Sequence, residues 1–228
     1  MADGRLVTAR PGGAAETGAP AVSASWRSLV DVCAAFAGPF DASLLSAWRL
    51  ELDDVEAHVV ALRADASAVG PIDAMPLGDQ ALPSGVHALL TLAGARLGSV
   101  WRPEQLIDAA AAIELARHAV LQHEAVRDRE HELASMNRQY VLGGDWSITQ
   151  AARLVADIGP SAYRVLVRGW GAAQLLQLRT GRIASRDVLF DTAISLGALS
   201  AGVPTQAPLR LGDRSCAAAQ LRDWASRL

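Results

Sequence analysis

Lysine is missing altogether from this chain of 228 residues, whose 21 basic residues are all arginine. Lysine Schiff-base chemistry and a Walker-type phosphate lysine are therefore excluded. Cysteine is nearly missing as well. Cys33 and Cys216 stand alone in apolar contexts without metal-ligand spacing, and both read as small core residues. Long β-branched runs are few, which argues against a fold dominated by sheet. The charge is a modest -3, from acidic and basic residues spread along the chain, so neither the basic face of a nucleic-acid binder nor an acidic tail is present. The N-terminus lacks a charged-then-apolar leader pattern, and the segment "TAISLGALSAGVPTQAPL" from Thr192 is broken by Pro and Gly. No membrane span and a soluble, cytoplasmic protein are expected.

What the chain does have is apolar content, 51% by count, in a composition rich in Ala, Leu and Arg. That is enough to bury a sizeable core, and the apolar residues recur at helical rather than strand spacing. Residues 1–24, rich in Ala, Gly and Pro, read as a disordered lead-in, and 25–228 as a single all-α domain. A long helix is expected to open near an Asp41 cap. Others are expected over "VHALLTLAGARLG", from Pro103 to about Ala134, over "DWSITQAARLVADIG", over "PSAYRVLVRGWGAAQLLQLRTG" and over "SRDVLFDTAISLGALSAG", with a last one in "GDRSCAAAQLRDWASRL". Seven or eight helices with mostly short connections describe a compact helical bundle.

The stretch "AAIELARHAVLQHEAVRDREHE", residues 111–132, lets acidic residues emerge from an apolar helical pattern. Glu124 and Asp128 are four apart and share a face, where two carboxylates can hold one magnesium ion or end a solvated helix beside Arg127 and Arg129. His118, His123 and His131 are scattered around that helix, so hydrogen-bonded or exposed roles outweigh a metal cluster. Gly143-Gly144-Asp145-Trp146 reads as a helix start capped by Asp145, with a phosphate nest as the alternative. The six tryptophans are dispersed and read as packing residues. No nucleophile elbow or triad context is recognisable.

Four segments, taken in order, resemble the trans-isoprenyl diphosphate synthases, the polyprenyl synthetase family. "HALLTLAGARLG" resembles the helix after the family's Gly-Lys-Arg-x-Arg-Pro motif, and "AAIELARHAVLQHEAVRD" the helix that ends in its first Asp-Asp-x-x-Asp motif. "YVLGGDWSITQAARLVADIG" is similar to the segment with a Gly-Asp pair, and "LFDTAISLGALSAG" to the helix that begins with Lys-Thr. "AAAQLRDWASRL" stands where the family has Phe-Gln and its second Asp-Asp-x-x-Asp. The resemblance covers about residues 80–228. It implies an isoprenoid-synthase-type helical bundle around a central apolar cavity, with magnesium bridging two carboxylate clusters to an allylic diphosphate that basic residues clamp.

The ionic chemistry implied by the resemblance is degraded at each motif. The first aspartate-rich motif reads Glu124-Ala125-Val126-Arg127-Asp128 and the second Asp223-Trp224-Ala225-Ser226-Arg227. Where the family reads Gly-Gly-Lys-Arg-x-Arg-Pro, this chain reads Leu82-Pro83-Ser84-Gly85-Val86-His87-Ala88, with no basic side chain of the Lys or Arg type. Lys-Thr is Ser185-Arg186, and Phe-Gln is Ala219-Gln220. The remaining metal ligands on this alignment are Glu124, Asp128 and Asp223. The remaining diphosphate contacts are Arg127, Arg129, Arg138, Arg186 and Gln220. The resulting expectation is a non-catalytic subunit or regulator, in a homo- or hetero-oligomer with a complete prenyl synthase. The alternatives are a divergent magnesium-dependent prenyltransferase or terpene-forming enzyme, and a carrier for an isoprenoid ligand.

Overall fold

The computed structural model describes residues 42–67, 85–100, 102–126, 134–180 and 189–203. The expected lead-in over 1–24 and the Asp41 cap lie outside them. Among the described residues there are six helices and no strand: α1 Ala42–Ser67, α2 Val86–Ala95, α3 Pro103–Ala125, α4 Ala134–Ile158, α5 Pro160–Thr180 and α6 Phe190–Ser200. The described residues agree with the all-α class read from composition and periodicity.

α3 is the axis of the bundle and touches each of the other five helices. Its sequence explains how. Ala109, Ala110, Ala111, Ala112, Ala116 and Ala119 are all buried, and their short side chains let neighbours approach from several directions. Pro103 supplies a preset φ at the first helical turn, where its missing N–H is not needed. α1 packs on this axis through Trp48, Leu52 and Val55, a narrow stripe at steps of four and three. Two polar contacts fix its position: His58 Nε2 lies 3.2 Å from Asp108 Oδ1 of α3, and Arg96, just past α2, reaches Glu51 at 3.4 Å.

α2 and α6 run parallel at close range. His87 meets Phe190, Gly94 meets Ile194 and Gly98 meets Ala201, so the two helices advance together. A Cβ at Gly94 would overlap the backbone of Ile194, and one at Gly197 the carbonyl of Thr91. Every residue of α2 is buried, as are nine of the eleven in α6. At the far end Val100 N–H donates to Ala201 O at 3.2 Å.

α3 and α4 are antiparallel, with His118 opposite Ser147 and Gln122 opposite Gly143. The expected helix start at Asp145 is corrected here, because Gly143, Gly144 and Asp145 lie inside α4. The glycine pair is not a break. A Cβ at Gly143 would overlap Gln122 and one at Gly144 the His123 ring, so these glycines let the two helices meet. The helix after Pro103 ends at Ala125 rather than near Ala134. Between α4 and α5 the expected punctuation holds: Gly159 adopts φ 137, which L side chains rarely take, and Pro160 opens α5. No helix among the described residues is long and apolar enough to cross a membrane.

Candidate functional site

Two buried polar clusters interrupt the apolar packing around α3. The first sits at the start of α2. Gly85 precedes that helix at φ 94 and offers no side-chain cap, so the first amides of α2 need an acceptor from elsewhere. Glu114, from the middle of α3, supplies it: Oε1 accepts from His87 N–H at 3.1 Å and from Ala88 N–H at 3.0 Å. Its second oxygen lies 3.5 Å from Arg117 Nη1, with both side chains almost fully buried. Burial pushes the Glu114 carboxyl above its usual range, opposed by the Arg117 guanidinium and then by the α2 amides. A carboxylate at this helix start also complements the positive end of the helix dipole.

His87 belongs to the same cluster. Its ring is tilted against Phe190 with centroids 5.2 Å apart, and its Nδ1 is buried without a hydrogen bond. Burial, reinforced by Arg117, pushes its pKa down to about 3. His87 is therefore a neutral, apolar-facing ring at neutral pH.

The second cluster joins α3 to α4. Ser147 Oγ donates to Gly143 O at 2.7 Å, which uses its one proton, so it accepts from His118 Nδ1 at 3.0 Å. Nδ1 then carries the ring proton, and the Gln122 amide nitrogen lies 3.1 Å from Nε2 and 3.3 Å from Nδ1. Burial, followed by Arg63 and Arg117, pushes the His118 pKa down to about 4. Beside it, His123 Nε2 is 3.3 Å from Asp145 Oδ1 of α4, and its ring meets Trp170 of α5 edge-on with centroids 6.3 Å apart. His118 is hydrogen-bonded, one of the two roles expected for it, whereas His123 is half-buried against Asp145 rather than exposed. His131 lies outside the described residues.

Of the residues that the sequence singled out for metal or diphosphate, the structure describes two. Glu124 is half-buried on the last turn of α3, and Arg138 is exposed near the start of α4. Arg127, Asp128, Arg129, Arg186, Gln220 and Asp223 lie outside the described residues. Among the described residues no group of three or more His, Cys, Asp or Glu side chains is placed to hold a metal ion. Sequence reasoning missed Glu114 and Arg117. Their signal was present as a lone Glu-x-x-Arg inside an otherwise apolar, alanine-rich run.

Chemically, the first cluster is a filled anion site. A helix start that would receive an anionic ligand already holds a carboxylate of the same chain, with a guanidinium behind it. Comparison with known proteins adds no relative: no family model, no curated protein and no solved structure matches the chain.

Proposed function

We propose that the protein is a polyprenyl-synthetase-like subunit without independent catalysis, acting beside a complete isoprenyl diphosphate synthase. The observation that carries this reading is the start of α2. The resemblance aligns that position with the family's diphosphate-binding motif, and His87 stands opposite its second Arg. Here His87 is buried and neutral, and the carboxylate of Glu114 sits on the α2 amides. An incoming diphosphate would find the first α2 amides already taken by a buried carboxyl group that also faces Arg117, and displacing such a group is costly.

The apolar framework supports the same reading from the other side. The described segments that carry the resemblance, in α2, α3, α4 and α6, pack into one continuous core. A chain that keeps such a framework while losing ionic groups can still serve as a wall or brace for a partner. The partner then supplies magnesium, the basic clamp and the allylic diphosphate, and this chain influences the rate or the length of the product.

The test is prenyl transfer with labelled isopentenyl diphosphate, magnesium and allylic diphosphates of increasing length, using the purified protein alone and mixed with a complete synthase. The expected result is no product alone and an altered rate or product length in the mixture. Magnesium-dependent product from the protein alone would overturn the reading and make Glu124, Asp128 and Asp223 the first substitutions. A mixture indistinguishable from the synthase alone would overturn the subunit role.

A further inference from the structure

α5 turns an unusual face outward. Its inner side packs through Ala162, Leu166 and Ala173, while Tyr163, Val167, Leu175 and Leu178 are exposed, Leu178 at 80%. At 3.6 residues per turn, Tyr163, Val167 and Leu178 follow one line along the helix. Arg164, Arg168 and Arg179 run beside that line with Leu175 among them, and all three arginines are exposed. α5 has no acidic residue in its 21 positions, although the whole chain is net acidic at -3. This helix is therefore net positive, with three arginines and no acid.

We infer that the outer face of α5 docks on an anionic lipid surface. Charge complementarity selects the occupant. A second copy placed by a two-fold axis would set three arginines against three arginines with no acid on either helix, which is repulsive. A protein interface also needs a dry apolar centre inside a polar rim, whereas here Leu175 lies between arginines instead of inside a rim. The headgroup layer of a bilayer suits the mixture. Guanidinium groups fork onto lipid phosphates while their methylene stems and the Leu, Val and Tyr side chains rest at the acyl boundary. Such docking is peripheral, in keeping with a described chain that has no membrane-crossing helix.

The test is vesicle co-sedimentation of the full chain, comparing pure phosphatidylcholine with mixed phosphatidylcholine and phosphatidylglycerol, at low and high salt. Binding is expected only to the anionic vesicles, weakening as salt screens it. Replacing Arg164, Arg168 and Arg179 with Gln should weaken partitioning about fivefold per residue, roughly a hundredfold for the three together. Leu175→Ser with Leu178→Ser should weaken it as well. All five side chains are exposed, so an unchanged circular dichroism spectrum verifies the fold of each variant. Equal binding to neutral vesicles, no binding to anionic ones, or an unaffected triple variant would overturn the inference. So would a stable dimer in the absence of lipid that Leu175→Ser and Leu178→Ser dissociate, because the face would then be a subunit interface.

Discussion

Replacing Glu114 with Ala removes three interactions at once: the acceptor for His87 N–H, the acceptor for Ala88 N–H and the carboxylate 3.5 Å from Arg117. Neither solvent nor a local side chain can easily replace them, because Glu114 and Arg117 are nearly inaccessible and Gly85 provides no cap. Removing one member of a buried charged pair costs about 3–5 kcal/mol, a large part of the stability of an ordinary domain. Glu114→Gln keeps the shape and an acceptor oxygen for the α2 amides but loses the charge facing Arg117, so it should cost about 1–2 kcal/mol less than Glu114→Ala, roughly the worth of the retained hydrogen bonds. Urea denaturation followed by circular dichroism reads the difference. With a slope of about 2 kcal/mol per molar, Glu114→Ala should lower the midpoint by about 1.5–2.5 M and Glu114→Gln by about 0.5–1 M less than that. Adding Arg117→Met to Glu114→Ala should cost less than the sum of the two single substitutions, because the two side chains interact directly. A loss below about 1 kcal/mol for Glu114→Ala would refute the account of this cluster as a remote cap coupled to an ion pair.

Acid should destabilise the protein through His87 and His118. Their folded pKa values, about 3 and about 4, lie below the unfolded 6.5, so the unfolded chain binds protons first and stability falls as pH drops below 6.5. Each contributes a slope of up to about 1.4 kcal/mol per pH unit, and His118→Gln should remove its share of the slope between pH 6.5 and 4; an unchanged slope would contradict the buried neutral ring. Gly197→Ala should destabilise by about 1–3 kcal/mol despite the better helix propensity of Ala, because its Cβ meets the Thr91 carbonyl; thermal melting checks the sign.

The sequence makes the helices legible where punctuation is strong. Pro103 and the Gly159-Pro160 pair mark helix boundaries because each imposes a backbone condition that does not depend on the rest of the fold. Gly143-Gly144 defeats the same logic. A glycine pair ordinarily weakens a helix, but here the close approach of Gln122 and His123 demands residues without Cβ, and that demand comes from another helix. The candidate site was legible only in part for a similar reason. Motif alignment points to Glu124 and Arg138, which are not the residues of the buried cluster at the start of α2. The role of Glu114 depends on a helix start 27 residues away in sequence, which periodicity within α3 cannot reveal. The neutral state of His87 likewise depends on Phe190 and Arg117, brought to it by two different helices.

The parallel contact between α2 and α6 also bears on how the chain is made. Two parallel helices joined at close range require the three intervening helices to be laid down first, and α2 can bury its glycine face only after α6 has left the ribosome. At ordinary elongation rates of 5–20 residues per second, that interval is roughly 5 to 20 seconds. Throughout it, a segment that is entirely buried in the finished protein must be shielded by transient contacts or by a chaperone. Truncation before α6 would make that exposure permanent, because α6 is the helix that covers the glycine face of α2.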